Sequence, residues 1–184
     1  MISGFRPVTP LAMMRANGRT PSSFALVSLI TMTAAAPSFS GQAFPAVIVM
    51  SDEKAFELGL TPLAKIVASG VSGLSPEIMG YGPVEASRRA LANAGMSIGD
   101  IDLVEINEAF AAQVIPSAKH LDIEWDKLNV HGGAIALGHP FGMTGARIMA
   151  TLINGLQSED KTIGLESMCV GGGQGMAMLI ERLS

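Results

Sequence analysis

Three short blocks of this sequence carry the side chains suited to chemistry. The longest, residues 131–147 (HGGAIALGHPFGMTGAR), sets five glycines, two histidines and a proline within seventeen residues. Ile106-Asn107-Glu108-Ala109-Phe110 precedes it, and Met168-Cys169-Val170-Gly171-Gly172-Gly173 follows it. Together they supply a histidine, an asparagine, a cysteine and several glycine amides. That is an inventory for acyl chemistry, in which a base activates a nucleophile and N–H groups hold a developing oxyanion.

Each residue also has a plainer reading. His139 sits between Gly138 and Pro140, and the proline restricts the backbone that aims it. At a helix entrance the dipole disfavours imidazolium, so His139 reads as a neutral proton acceptor; a structural histidine is the alternative. His131 reads as structural or supporting, and His120 as solvent-facing. The Cys169 thiol, beside the amides of Gly171, Gly172 and Gly173, has a lowered pKa on one reading. On the other it is a small hydrophobe closing an apolar strand. Asn107 alone reads as a helix N-cap. The glycines at 132, 133, 138, 142 and 145 are turn residues or mark a backbone that approaches a ligand closely. No Gly-Lys-Ser/Thr follows them, and their spacing does not match a dinucleotide fingerprint. One cysteine and three scattered histidines make neither a disulfide framework nor a metal site.

The elements that must position these blocks follow from periodicity. Residues 46–50 read as a buried strand, after which Asp52 caps a short helix over 53–58 closed by Gly59. Residues 64–71 are rich in β-branched side chains and read as a strand. Gly82-Pro83 opens a helix ended by Gly95. Residues 101–106 form a short strand, and Asn107 opens a helix that Pro116 kinks or interrupts. Residues 140–156 contain a core-facing helix, since Ile148, Met149, Leu152, Ile153 and Leu156 recur at helical spacing. Residues 162–168 and 175–180 read as an antiparallel pair joined by a glycine turn. Strands alternating with helices predict an α/β fold with a mixed, mainly parallel sheet and helices on both faces. Ligands in that architecture meet the carboxyl ends of strands.

The chain of 184 residues is long enough for one well-buried domain with extra material. Hydrophobic residues make up 48% and charged residues 15%, so either the core is large or a surface needs a partner. The net charge of −4 leaves no basic footprint for nucleic acid. Residues 1–51 hold Arg6, Arg15 and Arg19 and no acid, which places a boundary near Ser51. Residues 1–23 read as irregular. The 13-residue apolar run at 24–36 is too short to span a bilayer; a signal peptide ending at Ala34-Ala35-Ala36 is an alternative for it.

Read together, the blocks resemble the thiolase family of acetyl-CoA acyltransferases and acetyltransferases. The matching stretches are Asn107-Glu108-Ala109-Phe110-Ala111, the run from Gly132 to Pro140, and Cys169-Val170-Gly171-Gly172-Gly173. The likeness runs from about Val47 to Ser184 and covers only the second half of a thiolase. It implies a half-fold of that family: residues 62–184 as the carboxy-terminal domain, 46–61 as an orphan strand and helix ending the amino-terminal half, and 1–45 as an irregular segment. The resemblance assigns His139 to activation of a nucleophilic cysteine and Cys169 to proton exchange with the substrate α-carbon or the CoA sulfur. It assigns Asn107 to a water-mediated oxyanion hole shared with the histidine, and the Gly171 amide to the other hole. Phe110 would line the pantetheine channel, and Ser38 would contact CoA.

Coenzyme A is then a cosubstrate, with no bound cofactor. The partners implied are acyl-CoA and CoA, and an amino-terminal half or a homo-oligomer, with no nucleic acid or membrane and a cytoplasmic location. The family's nucleophilic cysteine belongs to its first half, and Cys169 matches the acid/base residue instead. Loss of a covalent nucleophile in related triad chemistry costs on the order of 10⁶ in rate, so these residues alone are expected to be inactive. A split enzyme completed by a separate chain and a non-catalytic remnant are the other readings.

Overall fold

A computed structural model of the chain describes residues 24–32 and 44–184. Among these described residues, six strands and five α-helices run in the order β1 (Phe24–Met32), β2 (Phe44–Ser51), α1 (Asp52–Glu57), β3 (Ala64–Gly73), α2 (Gly82–Ala94), β4 (Leu103–Ile106), α3 (Ala111–His120), α4 (Ala134–Leu137), α5 (Thr144–Ser158), β5 (Ile163–Val170) and β6 (Gln174–Arg182). Phe24–Met32, within the stretch read as irregular, is thus a strand. It pairs antiparallel with β2 and, at one end, with β3.

The strands form one sheet in the order β2-β1-β3-β6-β5-β4, in which only β4 and β5 are parallel neighbours. The expected mainly parallel sheet is therefore corrected to a mostly antiparallel one. The cause is local. Residues 171–173 turn the chain back on itself, so β6 pairs antiparallel with β5 and inserts between β5 and β3, antiparallel to both. β3, β4 and β5 still share one direction, as the strand–helix alternation requires, but β6 separates the first from the other two.

Helices cover both faces. Val104, Ile106, Leu165, Ala177 and Leu179 pack under α2 and α3 residues such as Val84, Ala90, Val114 and Ala118. Leu103, Ile180 and Ala64 pack under α5 through Met149, Leu152, Ile153 and Leu156. The period-2 alternation along β4 sends Leu103 to one core and Val104 to the other. α2 begins at Gly82-Pro83 and ends on Gly95 at φ +67°, the left-handed stop that favours glycine. It lies so close to β3 that a Cβ on Gly70 would collide with backbone atoms of Ala86 and Ala90.

Two helix starts differ from expectation. Ser51, not Asp52, caps α1, its Oγ accepting from the Lys54 N–H at 3.2 Å. Asn107 does not open α3: the helix starts at Ala111, after Phe110 in extended conformation. Pro116 lies inside α3, which runs across it.

Candidate active site

The site grows from the carboxyl end of β4. Asn107 continues the β4–β5 pairing by donating its N–H to the Ser167 carbonyl at 2.9 Å, and it is fully buried. The side chain of Asn129 completes the edge of β4. Its Oδ1 accepts from the Ile106 N–H at 2.9 Å and its Nδ2 donates to the Ile106 carbonyl at 3.0 Å. Asn129 holds φ +49°, a left-handed conformation that asparagine tolerates better than most residues. The same Nδ2 donates to Glu108 Oε1 at 2.7 Å. Glu108 Oε2 accepts from the Ile135 N–H at 3.0 Å, and a Cβ on Gly133 would collide with this carboxylate. Glu108 therefore seats the glycine segment rather than opening a helix.

α4 ends at Gly138, φ +95°, and the chain turns His139 back toward Asn107. Asn107 Nδ2 lies 3.4 Å from His139 Nε2, and Thr144 Oγ1 lies 2.6 Å from Nδ1. Thr144 Oγ1 also donates to the Pro140 carbonyl at 3.3 Å, so the network is satisfied when Nδ1 carries the proton and donates to Thr144. Nε2 is then the free base, facing the Asn107 amide. Phe141 stands edge-on to the ring, centroids 4.9 Å apart. Burial, and then the Arg147 guanidinium, hold the imidazole below its ordinary pKa. Both causes act in the direction of a neutral imidazole. Asn107 Oδ1 is buried without a protein partner, an acceptor available to a water or a substrate group.

Cys169 lies on β5 opposite Gly175 and is half-buried. Because β4 and β5 run parallel and adjacent, Asn107 and Cys169 leave the same end of the sheet. A Cβ on Gly145 of α5 would lie 3.3 Å from Met168 Cε, so the first turn of α5 packs against the residue before Cys169. Burial pushes the thiol up, the reverse of the lowered value that neighbouring glycine amides suggest. Gly171 sits in the turn after Cys169; Gly172 and Gly173 take φ +83° and +86°, and a Cβ on Gly173 would collide with the Leu74 carbonyl. No hydrogen bond joins Cys169 to His139 among the described residues.

Phe110 is 69% exposed and lines a groove of about 260 Å³ with Ile78, Tyr81, Gln113 and Pro116; His139 and Cys169 are not part of it. Ser38 lies outside the described residues. His131 reaches Ser158 Oγ at 3.3 Å and packs against Gly155, as a structural residue. His120 lies edge-on to Tyr81. No group of acidic, histidine or cysteine side chains able to hold a metal occurs among the described residues, and none of their helices is long and apolar enough to cross a membrane.

The sequence reading missed Asn129 and Thr144 as the residues that hold this site. It also missed the buried ionisable residues behind it. Glu105 on β4, Glu166 on β5 and Arg147 on α5 carry side-chain atoms that are buried without hydrogen-bond partners. An acid in the middle of an apolar strand was the available signal.

Residues 60–182 match the family described as Thiolase, C-terminal domain. The chain is 53% identical over 156 residues to the 3-ketoacyl-CoA thiolase of Saccharophagus degradans, covering 83% of this chain and 40% of that protein. It is 50% identical to the acetyl-CoA acetyltransferase of Escherichia coli, covering 84% and 39%. Among solved structures, human mitochondrial 3-ketoacyl-CoA thiolase superposes with a TM-score of 0.74 at 48% identity, covering 79% of this chain and 37% of that one. The same human enzyme in complex with CoA gives a TM-score of 0.74 at 47% identity, covering 79% and 37%. The chain thus spans about 40% of the length of the curated relatives it matches.

Proposed function

The chain belongs to the thiolase family, through its C-terminal domain, and on that footing we propose that it supplies one half of an acyl-transfer site acting between 3-ketoacyl-CoA and CoA. The observation that carries this reading is the pairing of a neutral His139 with Asn107 at the end of β4.

The nucleophile is a thiol from polypeptide outside these 184 residues. His139 Nε2 takes its proton, and the thiolate attacks the 3-keto carbon of the substrate. Asn107 positions a water in one oxyanion hole, shared with His139, and the Gly171 amide is a donor of the other. Cleavage of the bond between the α-carbon and the 3-keto carbon leaves an acyl-cysteine and an acetyl-CoA carbanion, which takes the Cys169 proton. The Cys169 thiolate then deprotonates CoA, whose sulfur attacks the acyl-cysteine, and His139 returns its proton to the released thiolate. A thiol pushed up by burial is protonated at neutral pH, which suits Cys169 as this acid better than as a nucleophile.

Exposed Ile135, Leu137 and Phe141, the last 87% exposed, flank His139 in sequence. Their exposure supports a second body covering this loop, whether another part of a longer chain or a separate one. The purified chain alone is expected to show no acetoacetyl-CoA cleavage; cleavage that Cys169→Ala abolishes would overturn the proposal.

A further inference from the structure

The α4 helix is a single turn of four residues, too short to hold itself together in water. His139 follows directly on its Gly138 stop, so the aim of the histidine depends on what fixes this turn. Its N-cap is Gly133, which has no side chain to offer, although the free N–H groups of a first turn need an acceptor. Glu108 supplies one from a distant part of the sequence. Its Oε2 accepts from the Ile135 N–H at 3.0 Å, the group that an N-cap side chain ordinarily reaches. Gly133 holds φ −111°, open to any residue, so space and not conformation explains the glycine. A Cβ there would collide with the Glu108 carboxylate.

The other carboxylate oxygen ties the same turn to the sheet. Glu108 Oε1 accepts from Asn129 Nδ2 at 2.7 Å. Asn129 cannot turn its amide round, because its Oδ1 and Nδ2 are both engaged by the backbone of Ile106. Glu108 also follows Asn107 directly in sequence, and the Asn107 N–H is fixed on the Ser167 carbonyl. One carboxylate thus joins the strand end that carries Asn107 to the turn that carries His139.

We infer that Glu108 is a positioning residue of the site: by capping α4 from the end of β4, it sets the 3.4 Å approach of Asn107 Nδ2 to His139 Nε2. Glutamine cannot take over this role. It has one acceptor oxygen, so its NH₂ must face either the Ile135 N–H or Asn129 Nδ2, and both are donors. The use made of the Asn107–His139 approach rests on the acyl-transfer reading above; the positioning does not.

The test follows the His139 Nε2 ¹⁵N resonance of the full chain, assigned with His139→Gln, at a pH above the histidine titration. Asn107→Ala gives the position of that resonance without its amide neighbour. Glu108→Gln is expected to move it most of the way to the same position, and to make the Ile135 N–H exchange about tenfold faster. Gly133→Ala, which displaces the carboxylate while leaving it in the chain, is expected to do likewise. Asn93→Ala removes a bond from α2 to the Ser69 carbonyl of β3 and is expected to leave the resonance in place, as a control for lost stability alone. A folded Glu108→Gln protein with the native resonance overturns the inference, as does an equal shift in Asn93→Ala. Should Glu108→Gln fail to fold, Gly133→Ala is read on the same terms. Failure of both to fold makes Glu108 a residue of the core and contradicts the positioning role. None of these readouts needs catalysis, so loss of the acyl-transfer reading and loss of this one are separate results.

Discussion

The side chains of Asn107 and His139 meet at 3.4 Å, Nδ2 to Nε2, across 32 positions of sequence. What fixes the histidine for that meeting is Thr144, 2.6 Å from the opposite ring nitrogen. Thr144→Val keeps the shape and removes the hydroxyl. It is expected to cost about 1 kcal/mol of stability, the worth of a typical hydrogen bond. It should also give a mixture of imidazole tautomers where the native chain has Nδ1–H alone. Long-range ¹H–¹⁵N correlation spectra read this directly; an unchanged single tautomer would contradict the assigned network.

Asn129 is the residue on which the end of β4 depends. It satisfies both backbone groups of Ile106 and the Glu108 carboxylate. Asn129→Ala leaves those groups unpaired and places alanine at positive φ, which together should cost about 2–4 kcal/mol. Asn154→Ala, which loses one bond to Ala150 within its own helix, is expected to cost well under half as much. Urea unfolding of the two variants makes the comparison, and equal losses would remove Asn129 from this role.

Burial pushes Glu166 up to about 8 from an ordinary 4.5, with the Glu105 charge adding to the rise. Glu105 is also pushed up to about 8 by burial, against the pull of Arg147. Between those two pH values the folded chain holds a proton that the unfolded chain has released. The stability this contributes is whole below the unfolded value and is lost as pH rises through the folded one, at about 1.4 kcal/mol per pH unit for each proton held. His139, depressed in the fold, works the other way: its contribution is lost as pH falls through its range. Comparing the native chain with Glu166→Gln separates the two. The native protein should lose stability relative to the variant from about pH 5 to about pH 8, and parallel urea-midpoint profiles would contradict a protonated Glu166.

Much of this was legible in the sequence because local rules dominate there. The Gly82-Pro83 start and Gly95 stop of α2, the helical spacing from Ile148 to Leu156, and the glycine turn before β6 each follow from backbone chemistry within a few residues. The position of β6 between β3 and β5 did not, since strand order is decided by pairing across the whole chain. Asn107 looked like a helix cap because an acid and an apolar run follow it. The structure instead uses Glu108 to hold the glycine segment, which delays α3 to Ala111. The sequence placed His139 and Asn107 in one site through separate motifs. Thr144 and Asn129, which hold them, carry no motif and were visible only once the chain was folded. Arg147 hid inside an apolar helical pattern, although acids in the apolar strands β4 and β5 marked buried ionisable groups beneath that helix.

On the proposed function, His139, Asn107 and Cys169 form part of an acyl-transfer site whose nucleophile comes from elsewhere. The most direct measurement mixes this chain with the portion of the Saccharophagus degradans thiolase that it does not span, and follows CoA-dependent cleavage of acetoacetyl-CoA. The expected result is no cleavage by either piece alone, cleavage by the mixture, and its loss with His139→Ala. Cleavage that persists undiminished with His139→Ala, or a folded mixture that associates and stays inactive, would contradict it.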